Sequence, residues 1–346
     1  MQQERVLLGM SGGVDSTAAC RILQERGYEV VGLTLLTCEK SLSACEEAAA
    51  LAARFGIEHH IADIREEFQA NVIAPFLQSY LSGITPNPCI DCNPTIKFRI
   101  LMEEADRLGC KYIATGHYVR TVRDGENVFI KQGADNKKDQ SYFLAMVNPD
   151  IVQKCIFPLG GLTKEDVRDI AREIGLPVAE KKDSQEICFI PDNDYKTCLN
   201  KVLPPSAFHK GKVFHADGSY LGEHTGIQNY TIGQRKGLGI SLGKPAYVVA
   251  LDAKRNRVIL GDNEHLMADT LTASDNNYFI DVPIDEPFAV EAKIRYRAQA
   301  APATLLRHAD GTSTVTFAEA QRAITPGQYV AYYIGEHLIG GGVITH

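Results

Sequence analysis

Two groups of residues in this chain have the types and spacing for chemistry. The first is Ser11-Gly12-Gly13-Val14-Asp15-Ser16. Gly12 and Gly13 let a backbone turn tightly and approach an anion with no side chain in the way. A helix following them offers free N–H groups and the positive end of its dipole to a phosphate. Ser11 and Ser16 add hydroxyl donors, and Asp15 could bind a magnesium ion bridging phosphates. A lone Gly-Gly pair would read more simply as a turn with an Asp or Ser helix cap. Here the whole hexapeptide follows directly on an apolar run, Arg5 to Met10, and that context favours a phosphate cradle. It is not a Walker A loop, since no G-x-x-x-x-G-K-[ST] occurs there.

The second group is cysteine. Cys89 and Cys92 lie in Thr85-Pro86-Asn87-Pro88-Cys89-Ile90-Asp91-Cys92-Asn93, where two prolines stiffen the loop. Asn93 could cap a helix beginning near Pro94. A thiol just before a helix N-terminus, with Lys97 nearby, is expected to be biased towards thiolate. Cys188 ends a charged loop that starts at Lys181-Lys182 and leads into a short apolar strand. For any one of these a buried inert thiol is the default; the C-x-x-C spacing moves Cys89 and Cys92 towards function. Cys20, Cys38, Cys45, Cys110, Cys155 and Cys198 carry no such mark. Nine widely spread cysteines make a poor disulfide framework and fit a reducing, cytoplasmic setting.

Elements that could position these residues follow from periodicity. Arg5 to Met10, Tyr28 to Leu36, Ile57 to Ile61 and Tyr112 to Thr115 read as strands. Helical spacing covers Ser16 to Arg26, Glu46 to Phe55, Phe68 to Tyr80 and Lys97 to Leu108. This alternation predicts an α/β N-terminal domain with a parallel, doubly wound sheet, over residues 1–204. After Val202-Leu203-Pro204-Pro205 the texture changes to short strands and Gly-rich turns, which gives a small central domain (205–265) and a C-terminal β-barrel (266–346). Barrel strands are expected at Phe288 to Tyr296, Thr314 to Phe317, Tyr329 to Ile334 and Leu338 to Ile344. At 346 residues, 45% hydrophobic and 23% charged, the chain has a globular composition. Neither a secretory signal nor a run long enough to span a membrane is expected. A net charge of -7 gives no global pull on nucleic acid, so such a partner would need a local basic surface.

The hexapeptide SGGVDS resembles the PP-loop of N-type ATP pyrophosphatases, an adenine nucleotide alpha hydrolase-like fold. That resemblance implies ATP with Mg²⁺, bound by Gly9, Met10, Ser11, Gly12, Gly13, Val14, Asp15 and Ser16, with Leu35 near the adenine and Gly116 near the ribose or base. The segments TPNPCIDCNPTIKF (85–98), YIATGHY (112–118), KKDQSYFL (137–144), KKDSQEICFI (181–190), IGQRKGLG (232–239), RYRAQ (295–299) and TPGQYVAYY (325–333) run in the order seen in tRNA-specific 2-thiouridylases, the MnmA/TrmU family. They cover nearly the whole chain. The resemblance implies adenylation of the uracil 2-oxygen at the tRNA wobble position, then replacement of that oxygen by sulfur. It assigns Cys188 as the persulfide carrier and Cys92 as the second catalytic cysteine. It places tRNA contacts at Asn87, Pro88 and Cys89, at Lys138, Asp139 and Gln140, and at Arg295 and Tyr296. It also implies tRNAs for Lys, Glu and Gln as substrates, and a cysteine desulfurase or sulfur relay protein as donor.

This sequence departs from the family where an aspartate commonly precedes the first catalytic cysteine by three residues; Cys89 stands there. Cys89, Cys92 and Cys188 then form a three-thiol set that could hold an iron–sulfur cluster with one open iron. Lys181-Lys182, Arg235-Lys236 and Arg297 could extend a basic surface for phosphates. His60, His117 and His224 lack metal-ligand spacing and read as structural. A PP-loop ligase or amidotransferase acting on a small substrate would account for SGGVDS alone. A non-catalytic tRNA- or iron–sulfur-binding protein would have no need of the intact loop.

Overall fold

The computed structural model describes residues 3–125, 127–175, 187–190, 194–240, 243 and 245–345. Lys181 and Lys182, proposed above as basic contacts, lie outside the described residues. In chain order the N-terminal strands are β1 (Arg5–Gly9), β2 (Glu29–Leu36), β3 (Glu58–Asp63), β4 (Tyr112–Ala114), β5 (Val119–Asp124), β6 (Asn127–Gln132) and β7 (Cys155–Ile156). Five of them form a parallel sheet in the order β3-β2-β1-β4-β7.

Strand β1 shows why the apolar run Val6-Leu7-Leu8 had to be interior. All three side chains are fully buried, but they alternate between faces. Leu7 packs with Leu33, Phe98, Leu101 and Ile113. Val6 and Leu8 pack with Ala18, Ala19 and Leu23 of the helix Val14–Glu25 (α1). A strand covered on both faces needs no polar alternation. The chain runs from β1 outward through β2 and β3, then returns to the other side of β1 as β4. The order reverses between β1 and β4, and the crevice at the carboxyl ends of such strands is where open α/β sheets take ligands.

Several helices differ from their expected form. The segment from Phe68 to Tyr80 is three pieces: Arg65–Phe68, a π-helical turn Gln69–Ile73, and Ala74–Leu81. The helix expected from Lys97 begins earlier. Pro88–Cys92 is already helical, a π-helical turn covers Asn93–Lys97, and Phe98–Arg107 completes it. Pro94 therefore sits inside a widened turn, which tolerates its missing N–H, rather than at a helix start. Asn93 is not a cap: its amide donates to the Phe143 carbonyl at 2.7 Å.

The middle of the chain holds a four-stranded sheet of β8 (Gly211–His215), β9 (Tyr220–His224), β10 (Tyr247–Asp252) and β11 (Arg257–Gly261) around Val213, Val248, Val258 and Leu260. The last part is β12 (Met267–Tyr278), β13 (Pro287–Lys293), β14 (Ala301–Arg307), β15 (Ser313–Arg322), β16 (Tyr329–Ile334) and β17 (His337–Ile344). These run antiparallel in the order β12-β15-β14-β13-β16-β17, and β12 pairs with β17 to close the barrel. Closure removes the unpaired edges of an open sheet. Strand β13 stops at Lys293, so Arg295 and Tyr296 lie beyond it in a turn rather than on a strand. The hairpin β5–β6 of the N-terminal region joins the barrel through Lys131 opposite His337. No helix among the described residues is long and apolar enough to cross a membrane.

The barrel also meets the N-terminal region at Gly327, which has φ +85°. A Cβ there would collide with the Ile84 side chain and lie 3.2 Å from the Thr85 carbonyl oxygen. Gly327→Ala should therefore destabilise the protein by about 1–3 kcal/mol, read as an earlier midpoint in urea unfolding.

Candidate active site

The phosphate loop begins where β1 ends. Gly12 has φ +71°, and a Cβ on it would lie 3.0 Å from Glu47 Cβ and 3.1 Å from the Ala44 carbonyl. Glycine is thus required by conformation and by space. Helix α1 starts at Val14, leaving its first N–H groups at the loop. Ser16 is buried; its hydroxyl donates to Gly13 O at 3.1 Å and accepts from Ser11 N–H at 3.3 Å. Thr17 Oγ1 also donates to Gly13 O, at 2.8 Å. These bonds fix the loop while Ser11 stays exposed. Met10 is buried and its N–H is taken by Leu33 O, so its side chain belongs to the core. Gly9 and Leu35 are half-buried at the ends of β1 and β2.

Asp15 is more engaged than its sequence context suggests. Its Oδ1 accepts from Tyr118 Oη at 2.6 Å and from Lys164 Nζ at 2.7 Å. Gly116 packs against the same residue: a Cβ at 116 would lie 3.2 Å from Asp15 Cβ. Tyr118 and Lys164 escape a reading of the sequence because they come from elements 103 and 149 residues away. The only local signal is the Thr163-x-x-Asp166 capping box that opens the helix Lys164–Glu173.

The cysteine loop adjoins this site through His117. Its ring stacks on Phe98 at 5.8 Å, and its Nδ1 lies 2.6 Å from Thr115 Oγ1. Burial, with the Lys97 ammonium adding to it, holds the imidazole pKa well below its ordinary value, so the ring is neutral at physiological pH. Lys97 ends the π-helical turn that follows Cys92, and its Nζ donates to Asn93 Oδ1 at 2.9 Å.

The thiols do not behave as their placement near a helix predicts. Burial dominates and pushes Cys89 and Cys92 upward. Lys97 opposes this at both, and at Cys92 its backbone N–H helps. Cys188 is exposed by surface area, while its thiol lies within electrostatic reach of Cys89, Cys92, Lys97 and Cys38. Desolvation there, reinforced by Cys89 and Cys92, pushes it up to about 12. One ammonium does not offset the loss of water, so the resting thiols are protonated. Cys38, just after β2, also acts on Cys188, a proximity that spacing along the chain does not reveal. Cys89, Cys92 and Cys188 thus share one neighbourhood. Among the described residues, however, no three His, Cys, Asp or Glu side chains are arranged to hold a metal ion. An iron–sulfur site at these thiols is not shown among the described residues.

The barrel holds the cysteine loop from the other side. Gln328 Nε2 donates to the carbonyls of Thr85 (2.8 Å) and Pro86 (3.3 Å), and Thr85 N–H donates to Pro326 O. Tyr329 Oη donates to Asp91 Oδ1. Asp91 is half-buried, and desolvation raises its carboxyl pKa, while the tyrosine bond opposes that. Asn87 and Cys89 are half-buried and Pro88 is buried.

Residues expected to meet nucleic acid are partly turned inward. Asp139 is buried: its carboxylate accepts from Gly133 N–H, Ser141 N–H and Ser141 Oγ. These three bonds shape the 133–141 loop. Gln140 Oε1 accepts from Tyr118 N–H at 2.9 Å. Arg295 is half-buried, with Nη2 donating to Thr325 Oγ1 at 2.6 Å and to Ala323 O. Tyr296 stacks obliquely on Phe143 at 4.5 Å, which brings the 137–144 and 293–297 segments together. Arg297, Arg235 and Lys236 are exposed, and Lys138 is half-exposed.

Comparison with known proteins agrees along the chain. Residues 4–192 match the family described as tRNA methyl transferase HUP domain, 196–262 the tRNA methyl transferase PRC-barrel domain, and 268–344 the Aminomethyltransferase beta-barrel domain. The tRNA-specific 2-thiouridylase MnmA 1 of Caldanaerobacter subterraneus subsp. tengcongensis is 44% identical, over 98% of this chain and 97% of its own. MnmA 3 of Bacteroides fragilis is 45% identical over 99% and 94%, and MnmA of Clostridium acetobutylicum 44% over 99% of both. With near-complete coverage of relatives at this identity, and with the phosphate loop and the cysteines gathered at one end of the sheet, the chain belongs to the tRNA-specific 2-thiouridylase (MnmA) family.

Proposed function

We infer that this chain carries out ATP-dependent 2-thiolation of the wobble uridine in tRNA. The observation that supports the reading is the short span Gly116-His117: Gly116 packs against Asp15 of the glycine loop, and His117 feels Lys97, the same ammonium that acts on Cys89, Cys92 and Cys188. Two chemistries can then reach one base. The uracil 2-oxygen attacks the α-phosphorus of ATP, and the bond to the bridging oxygen breaks, so pyrophosphate leaves with its electron pair. The base must leave its stack to do so. The adenylated oxygen is a good leaving group where the free oxygen is a poor one.

Sulfur replaces that oxygen from Cys188, loaded as a persulfide by a desulfurase or relay protein. The terminal sulfur loses its proton and attacks C2, AMP departs, and the Cys92 thiolate attacks the Cys188 sulfur. The S–S bond breaks towards the base, leaving 2-thiouridine and a Cys92–Cys188 disulfide that an external reductant must reopen. His117 and Lys97 border the path between the sites. Asp15 would hold Mg²⁺, which when bound neutralises phosphate charge. No step runs through an iron–sulfur cluster.

The tRNA contacts belong to the same proposal. Lys138, Arg297, Arg235 and Lys236 would meet phosphates, and Tyr296 with Phe143 could stack on RNA. Asp139, Gln140 and Arg295 would act by holding the surface in shape. Residues 1–204, 205–265 and 266–346 are the proposed functional divisions, and tRNAs for Lys, Glu and Gln the proposed substrates. A methyl transfer, as the family description words it, would leave the thiols and the ATP loop without use. The ligase reading accounts for the loop but not for Cys92 with Cys188.

Two outcomes are expected. With unmodified tRNA, ATP and a persulfide donor, Cys188→Ala and Cys92→Ala should each abolish thiolation, seen as loss of retardation on a mercury gel. Both should still release pyrophosphate in a tRNA-dependent way; thiolation by Cys188→Ala would overturn the persulfide assignment. Second, with Cys188 pushed up to about 12, alkylation of this thiol by iodoacetamide should accelerate roughly tenfold per pH unit from about 7 to 10. A rate already flat at pH 8, followed by peptide mass spectrometry, would contradict the protonated resting state.

A further inference from the structure

Lys164 lies outside every motif that led to the function, and its setting is unusual for a lysine. Its side chain is only 12% exposed, and Nζ is 2.7 Å from Asp15 Oδ1 within the phosphate loop. Buried ammonium groups are costly unless they meet a counter-charge. Its Nζ lies over the Tyr118 ring, 5.6 Å from the centroid, and Tyr118 Oη shares the same carboxylate oxygen. Nothing in this arrangement is loose. The Lys164 backbone N–H donates to Asp135 Oδ2 at 3.2 Å, and the Thr163–Asp166 capping box fixes the helix start. Gly116 closes the opposite side of Asp15.

A surface ion pair would not need this degree of construction. The structure instead carries a pre-positioned cation to the mouth of a loop built to receive an anion, and parks it on that loop's own carboxylate. We propose that Lys164 is a phosphate-binding residue of the ATP site, with its ammonium directed at the β- and γ-phosphates that leave as pyrophosphate. Asp15 and Tyr118 aim it. Its chemistry is that of a fixed positive charge where negative charge accumulates as the bond from the α-phosphorus breaks. The α-phosphate stays with the base as AMP, so AMP should not depend on Lys164. The proposal rests on the reading of Ser11 to Ser16 as the ATP loop.

Removing Lys164 also leaves Asp15 uncompensated, which would repel an anion without any direct contact. A double-mutant cycle separates the two. Binding of inorganic pyrophosphate and of AMP is measured by calorimetry, without magnesium, for wild type, Lys164→Met, Asp15→Asn and the double variant. Lys164→Met should weaken pyrophosphate at least tenfold both in the otherwise wild-type chain and in the Asp15→Asn background. AMP affinity should change less than about twofold, and Lys164→Arg should recover most of the loss. Thermal melts of each variant check folding. Weakening that vanishes in the Asp15→Asn background would reduce Lys164 to a counter-ion and overturn the proposal, as would no weakening at all. A wild type that binds neither ligand would overturn the ATP-loop reading together with it.

Discussion

The contact on which the rest of this structure depends is the grip of the barrel on the cysteine loop. Tyr329 and Gln328, adjacent residues at the start of β16, bond to Asp91 and to the carbonyls of Thr85 and Pro86. Cys89 lies between these anchor points, with Pro86 on one side and Asp91 on the other. A loop with two prolines has few conformations, and three bonds from a closed barrel choose among them. Cys92 then ends a short helix whose widened continuation brings Lys97 back towards it. The C-terminal barrel therefore braces the loop that carries Cys89 and Cys92.

Electrostatics divides the site into two halves of different character. Around Asp15 the carboxylate and the ammonium are paired at hydrogen-bond distance, and the half is ready for a polyanion. Around Cys92 and Cys188 the dominant effect is loss of water, which keeps thiols protonated against a single lysine. His117, held neutral by burial and by Lys97, follows the Gly116 that packs on Asp15. An enzyme that activates oxygen with ATP and then delivers sulfur benefits from that division, because premature thiolate would be open to oxidation.

What can be read from the sequence is what short-range physics fixes. The glycines of the phosphate loop, the buried run Val6-Leu7-Leu8 and the barrel strand Tyr329–Ile334 each carry their reason locally. The start of the helix before Phe98 is misjudged from sequence because Pro94 resembles a first-turn proline, whereas a π-helical turn absorbs it. The thiolate expectation fails because burial is a property of the whole fold. Lys164 stands in no quoted segment, and the partners of Tyr118 and Tyr329, which do, are hidden for the same reason: each of the three acts on a residue more than 100 positions away. Asp139 stands in a charged segment, and its bonds to Gly133 and Ser141, which brace the loop, are not legible there.

The central claim is tested most directly by Tyr329→Phe, which removes the hydroxyl that holds Asp91 and leaves the ring in the core. Tyrosine to phenylalanine keeps the packing, and the phosphate half is untouched. The measurement is tRNA-dependent pyrophosphate release beside 2-thiouridine formation in the same reaction. Release should persist while thiolation falls roughly ten- to hundred-fold, the cost of a catalytic group displaced by about 1 Å. Thiolation and release that stay equal to wild type, or fall together, would contradict a barrel that positions the thiols.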